Sequence, residues 1–209
     1  ASPELFFERR GSLLTMRPMK GTARRGDSPA QDRRLAEQLR TSPKERAENV
    51  MIVDLVRNDL ARVAVVGSVR VTRLCTVETY PTVHQLTSEV VARARDGAGL
   101  VDVFRALFPS GSVTGAPKRR TMQIIRDVEA GPRGVYCGAV GVVTPPGAAM
   151  ATRFNVPIRT LLVDRESGTG SYGAGGGITW DSDADAEYDE LLAKARILLS
   201  LPPHERLLP

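Results

Sequence analysis

Residues 69–92 read VRVTRLCTVETYPTVHQLTSEVVA, two runs dense in valine, threonine and leucine that are broken once at Pro81-Thr82. Such residues fit a pleated, half-buried surface, so we read a strand on each side of the break. Working outward, strand-like runs stand upstream at residues 5–7 and 13–16, on either side of Gly11-Ser12, and at 63–66. Downstream, runs at 136–144, 148–156, 158–163 and 170–179 have the same character. Helices fall between them. Ser28-Pro29 opens a short one, with serine as N-cap and proline at the first helical position. Ser42-Pro43-Lys44-Glu45 repeats that grammar as a capping box and starts a second helix reaching about residue 60. Its apolar members Ala47, Val50, Met51, Val53 and Leu55 leave an acidic and polar face. Further helices are expected at 100–108, 117–128 and 184–199. Many adjacent strands, with helices between and after them, predict an α+β fold: layered, mainly antiparallel β-sheets flanked by helices. No internal repeat or low-complexity linker divides the chain, so residues 1–209 read as a single domain.

Composition narrows the partners. With 42% apolar residues the chain can bury a sizeable core, and no apolar run approaches the length of a membrane span. Neither a signal-peptide pattern nor a cysteine framework is present, since Cys75 and Cys137 stand far apart; a cytoplasmic protein is expected. The formal charge is +5, but the basic residues are scattered, pair locally with acids and lack interleaved aromatics. That argues against nucleic acid and a membrane surface, and for a small anionic substrate. All but four of the 29 basic residues are arginine; the exceptions are Lys20, Lys44, Lys118 and Lys194. Arginine cannot serve as a neutral amine whereas a buried lysine can, so each surviving lysine is a candidate for chemistry. Lys44 reads better as part of a solvated helix.

Several groups of residues could carry that chemistry. Ser2-Pro3-Glu4 is followed by Pro18-Met19-Lys20-Gly21-Thr22; taken singly, a glutamate before a strand and a lysine in a turn are ordinary surface residues. Glu45 and Glu48 share a helix face by their spacing, and so do Glu187 and Glu190 near the C-terminus. Each pair could be no more than acids favoured near a helix N-terminus, or the two could together supply hard oxygen ligands. The stretch from Phe108 through Ser110-Gly111-Ser112 to Gly115-Ala116-Pro117-Lys118 is a small-residue turn into a helix, a setting suited to anions. Tyr136, Arg159 and the run Gly173-Ala174-Gly175-Gly176-Gly177 add a hydroxyl, a guanidinium fork and exposed backbone N–H groups. Lys194 stands four residues after Glu190, where an i,i+4 salt bridge is the plain alternative to a ligand contact.

Taken together and in this order, these motifs resemble the chorismate-utilising enzymes, over about residues 2–200. Members of that family carry Ser-Pro-Glu, then Pro-Ile-Lys-Gly-Thr or Pro-Ile-Ala-Gly-Thr, then Gly-Thr-x-Ser-Gly-Ala-Pro-Lys. This chain departs from the pattern with Met19 for isoleucine, Ser112 for threonine and Pro157 for alanine; the proline removes a strand N–H and suggests an edge or a bulge. The lysine-bearing turn looks like the branch that makes 4-amino-4-deoxychorismate, the alanine-bearing turn like anthranilate synthase. The resemblance implies Mg²⁺ on Glu48 and Glu190, with Glu45 and Glu187 nearby or through water. It also implies Lys20 as nucleophile at ring C2, Glu4 as general acid toward the C4 hydroxyl, and His84 near the substrate ring. Thr22, Ser112, Tyr136, Arg159, Gly175, Gly176, Gly177 and Lys194 would bind the substrate. Ammonia would come from a glutamine amidotransferase, as a subunit or a fused domain. Family members carry further strands before Ser-Pro-Glu, so part of the sheet and of the active-site wall is expected to be absent. The rival readings are another enzyme of the family, such as anthranilate synthase, and a non-catalytic truncated paralogue acting as a binding module.

Overall fold

The computed structural model describes residues 2–195 apart from 146, 149, 150 and 181. In chain order the strands and helices are β1 (Glu4–Arg10), β2 (Leu13–Arg17), β3 (Met19–Arg24), α1 (Pro29–Thr41), α2 (Pro43–Ala61), β4 (Arg70–Thr79) and β5 (Val83–Arg93). There follow α3 (Leu100–Leu107), α4 (Gly111–Thr114), α5 (Lys118–Val128), β6 (Val140–Val142), β7 (Thr152–Val156), β8 (Leu161–Asp164), β9 (Thr169–Tyr172) and α6 (Ala184–Ala195). Among the described residues, β1 to β7 form one antiparallel sheet and β8–β9 a separate hairpin. The expected α+β layering holds.

β5 is the spine of the sheet. β4 lies along one edge, while β2 and β3 lie end to end along the other, broken at Pro18, whose carbonyl accepts from Ser88 N–H at 3.0 Å. From β2 the sheet continues through β1 and β7 to β6. Alternation sends Leu86, Val90 and Ala92 of β5 to one face, where Val90 and Ala92 join Ile52, Val53, Val56 and Leu60 of α2 in the main core and Leu86 packs with Leu39 of α1 and Cys75 of β4. Phe6 and Phe7 are both buried although neighbours on a regular strand face opposite ways. A register shift between Leu5 and Glu8 resolves the conflict: the bulge bends β1, and both rings meet Phe104 of α3, at centroid distances of 6.0 and 5.4 Å. Phe154 of β7 closes the cluster, 4.9 Å from Phe104.

Both serine caps form. Ser28 Oγ accepts from Gln31 N–H, and Ser42 Oγ accepts from Glu45 N–H, each at 3.3 Å. Ser42 also donates its own N–H to Gln38 O, so one residue ends α1 and starts α2.

The structure corrects several boundaries. Residues 63–66 form a turn after α2, with Val63 and Ala64 N–H groups bonded to Leu60 O and a single bridge to Ala94. The buried stripe of α2 is Asn49, Ile52, Val53, Val56, Asp59 and Leu60, while Val50 and Met51 are exposed. The run at 136–144 shortens to β6, because Tyr136 and Gly138 donate their N–H groups to Arg133 and Val135 in tight turns. The run at 170–179 stops at Tyr172, where glycines replace side chains that a strand could pack. Pro157 follows the last residue of β7, so no ladder bond is lost, and its carbonyl accepts from Cys137 N–H. Arg159, at φ 50°, turns the chain before β8 begins at Leu161. The expected continuation of α6 past residue 195 lies outside the described residues.

Candidate active site

The loop after β9 is where the elements meet. A methyl group placed on Gly173 would lie 2.4 Å from the Tyr136 ring, and one on Gly175 would lie 3.0 Å from the Tyr136 hydroxyl. One on Gly176 would lie 3.0 Å from Glu187 Oε2 and 3.9 Å from Lys194 Nζ. One on Gly177 would lie 3.4 Å from Lys20 Nζ and 3.9 Å from Glu48 Oε2. A real Cβ essentially never comes closer than 3.0 Å to another heavy atom, so Gly173 at least admits no side chain. The glycine run lets one stretch of backbone touch side chains from β3, α2, α6 and the segment before β6. The structure thus brings together Lys20, Glu48, Tyr136, Glu187, Lys194 and Gly175–Gly177.

Glu4, at the start of β1, is 4% exposed. Burial pushes its carboxyl up to about 7, against the opposing pull of the Ser112 hydroxyl and the charge of Lys20. A carboxyl with that pKa is partly protonated at neutral pH, as a general acid must be. Ser112 is itself buried, and its hydroxyl shares a 2.9 Å hydrogen bond with Ser110. The turn carrying both serines is pinned by Lys118, whose ammonium donates to Asp59, to Leu107 O at 3.2 Å and to Pro109 O at 2.7 Å.

The acids of α2 and α6 share one field. Partial burial raises the Glu45 pKa, and the charges of Glu48 and Glu190 push it the same way. Ser182 Oγ donates to Glu187 Oε1 at 2.7 Å, and Lys194 pairs with Glu190 at 2.7 Å while donating to Gly175 O at 2.9 Å. Lys194 therefore makes the i,i+4 bridge and also ties α6 to the glycine loop. Among the described residues no three Asp, Glu, His or Cys side chains converge closely enough to hold a metal ion by themselves. Mg²⁺ commonly takes one or two protein carboxylates and keeps several waters, a requirement that Glu48 and Glu190 fit. The donor set is entirely carboxylate oxygen, and a cation would relieve the mutual repulsion felt at Glu45.

Of the expected residues, His84 is the one engaged elsewhere. His84, 1% exposed, meets Asp32 through Nε2 at 2.9 Å and Thr79 Oγ1 through Nδ1 at 3.0 Å. Its neighbour Gln85 faces the other way and donates to Gly21 O and Thr22 Oγ1, beside Lys20. Gln85 is the site residue that the sequence reading passed over; the alternation along β5 was the signal for it. Arg159 sits close enough to Tyr172 to lower that phenol's pKa, which burial raises, and Tyr172 donates its hydroxyl to Lys194 O at 3.3 Å.

A family model described as chorismate binding enzyme matches residues 1–200. The chain is 48% identical over 203 residues to aminodeoxychorismate synthase of Streptomyces griseus, a match covering 96% of this chain and 27% of that protein. It is 46% identical over 200 residues to anthranilate synthase component 1 of Streptomyces coelicolor, covering 96% of this chain and 38% of that one. The crystal structure of anthranilate synthase component I from Streptococcus pneumoniae matches with a TM-score of 0.80 at 36% identity, over 94% of this chain and 42% of that one. The chain therefore spans less than half the length of these relatives. No helix among the described residues is long and apolar enough to cross a membrane.

Proposed function

The chain belongs to the chorismate binding enzyme family, and from that premise we propose that it aminates chorismate at C4 to give 4-amino-4-deoxychorismate. One observation carries the choice within the family: a lysine amine, Lys20 Nζ, lies against the glycine loop beside Glu48 and within the field of the buried acid Glu4. Relatives of both the aminodeoxychorismate and the anthranilate type match at similar identity, so overall similarity does not choose between them.

Lys20 attacks ring C2, and the double bonds shift as the C4–O bond breaks. Glu4 gives its proton to the departing hydroxyl, which leaves as water. Ammonia then adds at C4 and expels the lysine nitrogen from C2. Tyr136, Arg159, Thr22, Ser112 and the N–H groups of Gly175–Gly177 hold the substrate's carboxylates, and Lys194 fixes the loop that presents them. Glu48 and Glu190, with Glu45 and Glu187 behind them, would hold Mg²⁺, which when bound neutralises carboxylate charge. Two of the relatives are named as component 1 or I of their synthases, which supports a partner subunit, and a glutamine amidotransferase supplying ammonia fits the chemistry.

The test is product identity. Incubation of the protein with chorismate, Mg²⁺ and ammonium should yield 4-amino-4-deoxychorismate. Anthranilate as the product would favour the rival enzyme, and binding of chorismate without turnover would favour a non-catalytic module.

A further inference from the structure

In the β3–β5 ladder Met19 faces Thr87, Thr22 faces Gln85 and Ala23 faces His84, with a register shift between Met19 and Thr22. Lys20 and Gly21 have no partner in that register, so the candidate nucleophile sits in a bulge. A bulge re-aims a side chain but also takes backbone groups out of the ladder, and something must hold them in place. Gln85, 6% exposed, does so on one side: its Nε2 donates at 2.9 Å to Gly21 O and at 2.9 Å to Thr22 Oγ1. On the other side Gly21, at φ 89°, presses on the helices; a methyl group there would lie 2.7 Å from Glu45 Oε2 and 3.1 Å from Leu39 Cδ1.

We propose that Gln85 is a positioning residue for Lys20: its amide clamps the bulge against α1 and α2 and so aims the amine at the glycine loop and Glu48. A primary amide suits the task because its two N–H donors diverge in a fixed plane, one for the carbonyl and one for the hydroxyl. Gln85 holds the residues on the C-terminal side of Lys20 and reacts with nothing itself. Loss of the clamp leaves the bulge free to slide, and the amine drifts from the loop toward solvent.

The proposal rests on the reading of Lys20 as nucleophile, but its test does not need turnover. Competitive acetylation with trace acetic anhydride, read by peptide mapping, reports the reactivity of Lys20 against exposed Lys44 as internal standard. Gln85→Met keeps the volume and removes both donors; Gln85→Glu keeps the shape and replaces the donors with acceptors. Each should raise the Lys20-to-Lys44 labelling ratio about threefold or more. Each should also cut kcat about tenfold while KM stays within about threefold, because a misaimed group costs the transition state rather than substrate binding. Thermal melting checks each variant, and if Gln85→Met fails to fold, Gln85→Glu decides. A labelling ratio unchanged in the folded variants overturns the positioning role whatever turnover does. A parent protein that makes no 4-amino-4-deoxychorismate removes the reaction while the labelling ratio still judges the clamp.

Discussion

The ring of Tyr136 packs directly on the backbone of Gly173, so closely that a methyl group on that glycine would lie 2.4 Å from a ring carbon. The contact joins the turn before β6 to the loop after β9, and that loop in turn touches Lys20, Glu48, Glu187 and Lys194. One backbone segment sets the distances among all of them.

Gly173→Ala should therefore displace the loop or the ring. Overpacking of this kind costs roughly 1–3 kcal/mol, and a shift of about 1 Å at a reacting centre can cost about a hundredfold in rate. The expected result is a lowered melting temperature together with a larger fall in kcat/KM for chorismate. Parent activity in Gly173→Ala would show that the loop is not a wall of the site.

Glu4 gives a pH dependence with a definite sign. Its folded pKa, about 7, exceeds the ordinary value of 4.5 for a free glutamate, so its contribution favours folding fully below about 4.5 and is lost as pH rises through 7. The difference corresponds to about 3 kcal/mol. Glu4→Gln cannot ionise, so its unfolding free energy, measured by denaturant titration from pH 4 to 8, should fall less than the parent's by an amount of that order. The same variant should lose most turnover for want of a proton donor. Parallel stability curves for parent and variant would mean that the carboxyl is not buried as described.

The aromatic cluster around the β1 bulge should dominate local stability. Phe104 contacts Phe6, Phe7 and Phe154 in edge geometries, and Phe104→Ala opens a cavity among them. The expected loss is about 3–5 kcal/mol in chemical denaturation. A loss under about 1 kcal/mol would indicate that the neighbouring rings collapse into the space.

Much of this organisation was legible in the residues. The serine caps and the two strands on either side of Pro81-Thr82 follow from local grammar, whereas the gathering of Lys20, Glu48 and Glu187 at the glycine run was implied only by the family resemblance. What was not legible depended on tertiary context. The turn at 63–66 is apolar and β-branched, yet α2 ends just before it and Leu60 O takes its N–H groups. Val50 and Met51 look like core residues, yet the stripe that packs on β5 runs through Asn49, Ile52, Val53 and Val56. His84 and Gln85 differ by one position, and on a strand one position decides the face. The histidine drew notice for its chemistry, while the glutamine holds the backbone beside the lysine.

The metal reading makes a separable claim. Glu48→Gln and Glu190→Gln each remove one charge from the candidate Mg²⁺ ligands, and each should raise the Mg²⁺ concentration needed for half-maximal activity as well as lower the maximum. Isothermal titration with Mg²⁺ alone should show weakened binding in both. Glu190→Gln also breaks the pair with Lys194, so Lys194→Met is the control: it should perturb the loop through Gly175 O but free the Glu190 carboxylate, so that Mg²⁺ affinity holds or rises rather than falls. An unchanged Mg²⁺ titration in both glutamine variants would remove these residues from the metal site.

The assignment within the family stands on covalent chemistry at Lys20. If the amine attacks C2 as Glu4 protonates the leaving hydroxyl, withholding ammonia should strand the lysine on the ring. Enzyme quenched after mixing with chorismate and Mg²⁺ should then show a mass increase equal to chorismate less water, placed on Lys20 by peptide mapping. Lys44, which is exposed, should carry none and serves as the control for nonspecific modification. Added ammonium should discharge the adduct and release 4-amino-4-deoxychorismate. Lys20→Ala removes the nucleophile but leaves Glu4, the acids of α2 and the glycine loop, so it should still bind chorismate while losing the adduct. Absence of any adduct, with Lys20→Ala aminating chorismate at the parent rate, would mean that ammonia attacks the ring directly and that lysine is not the nucleophile.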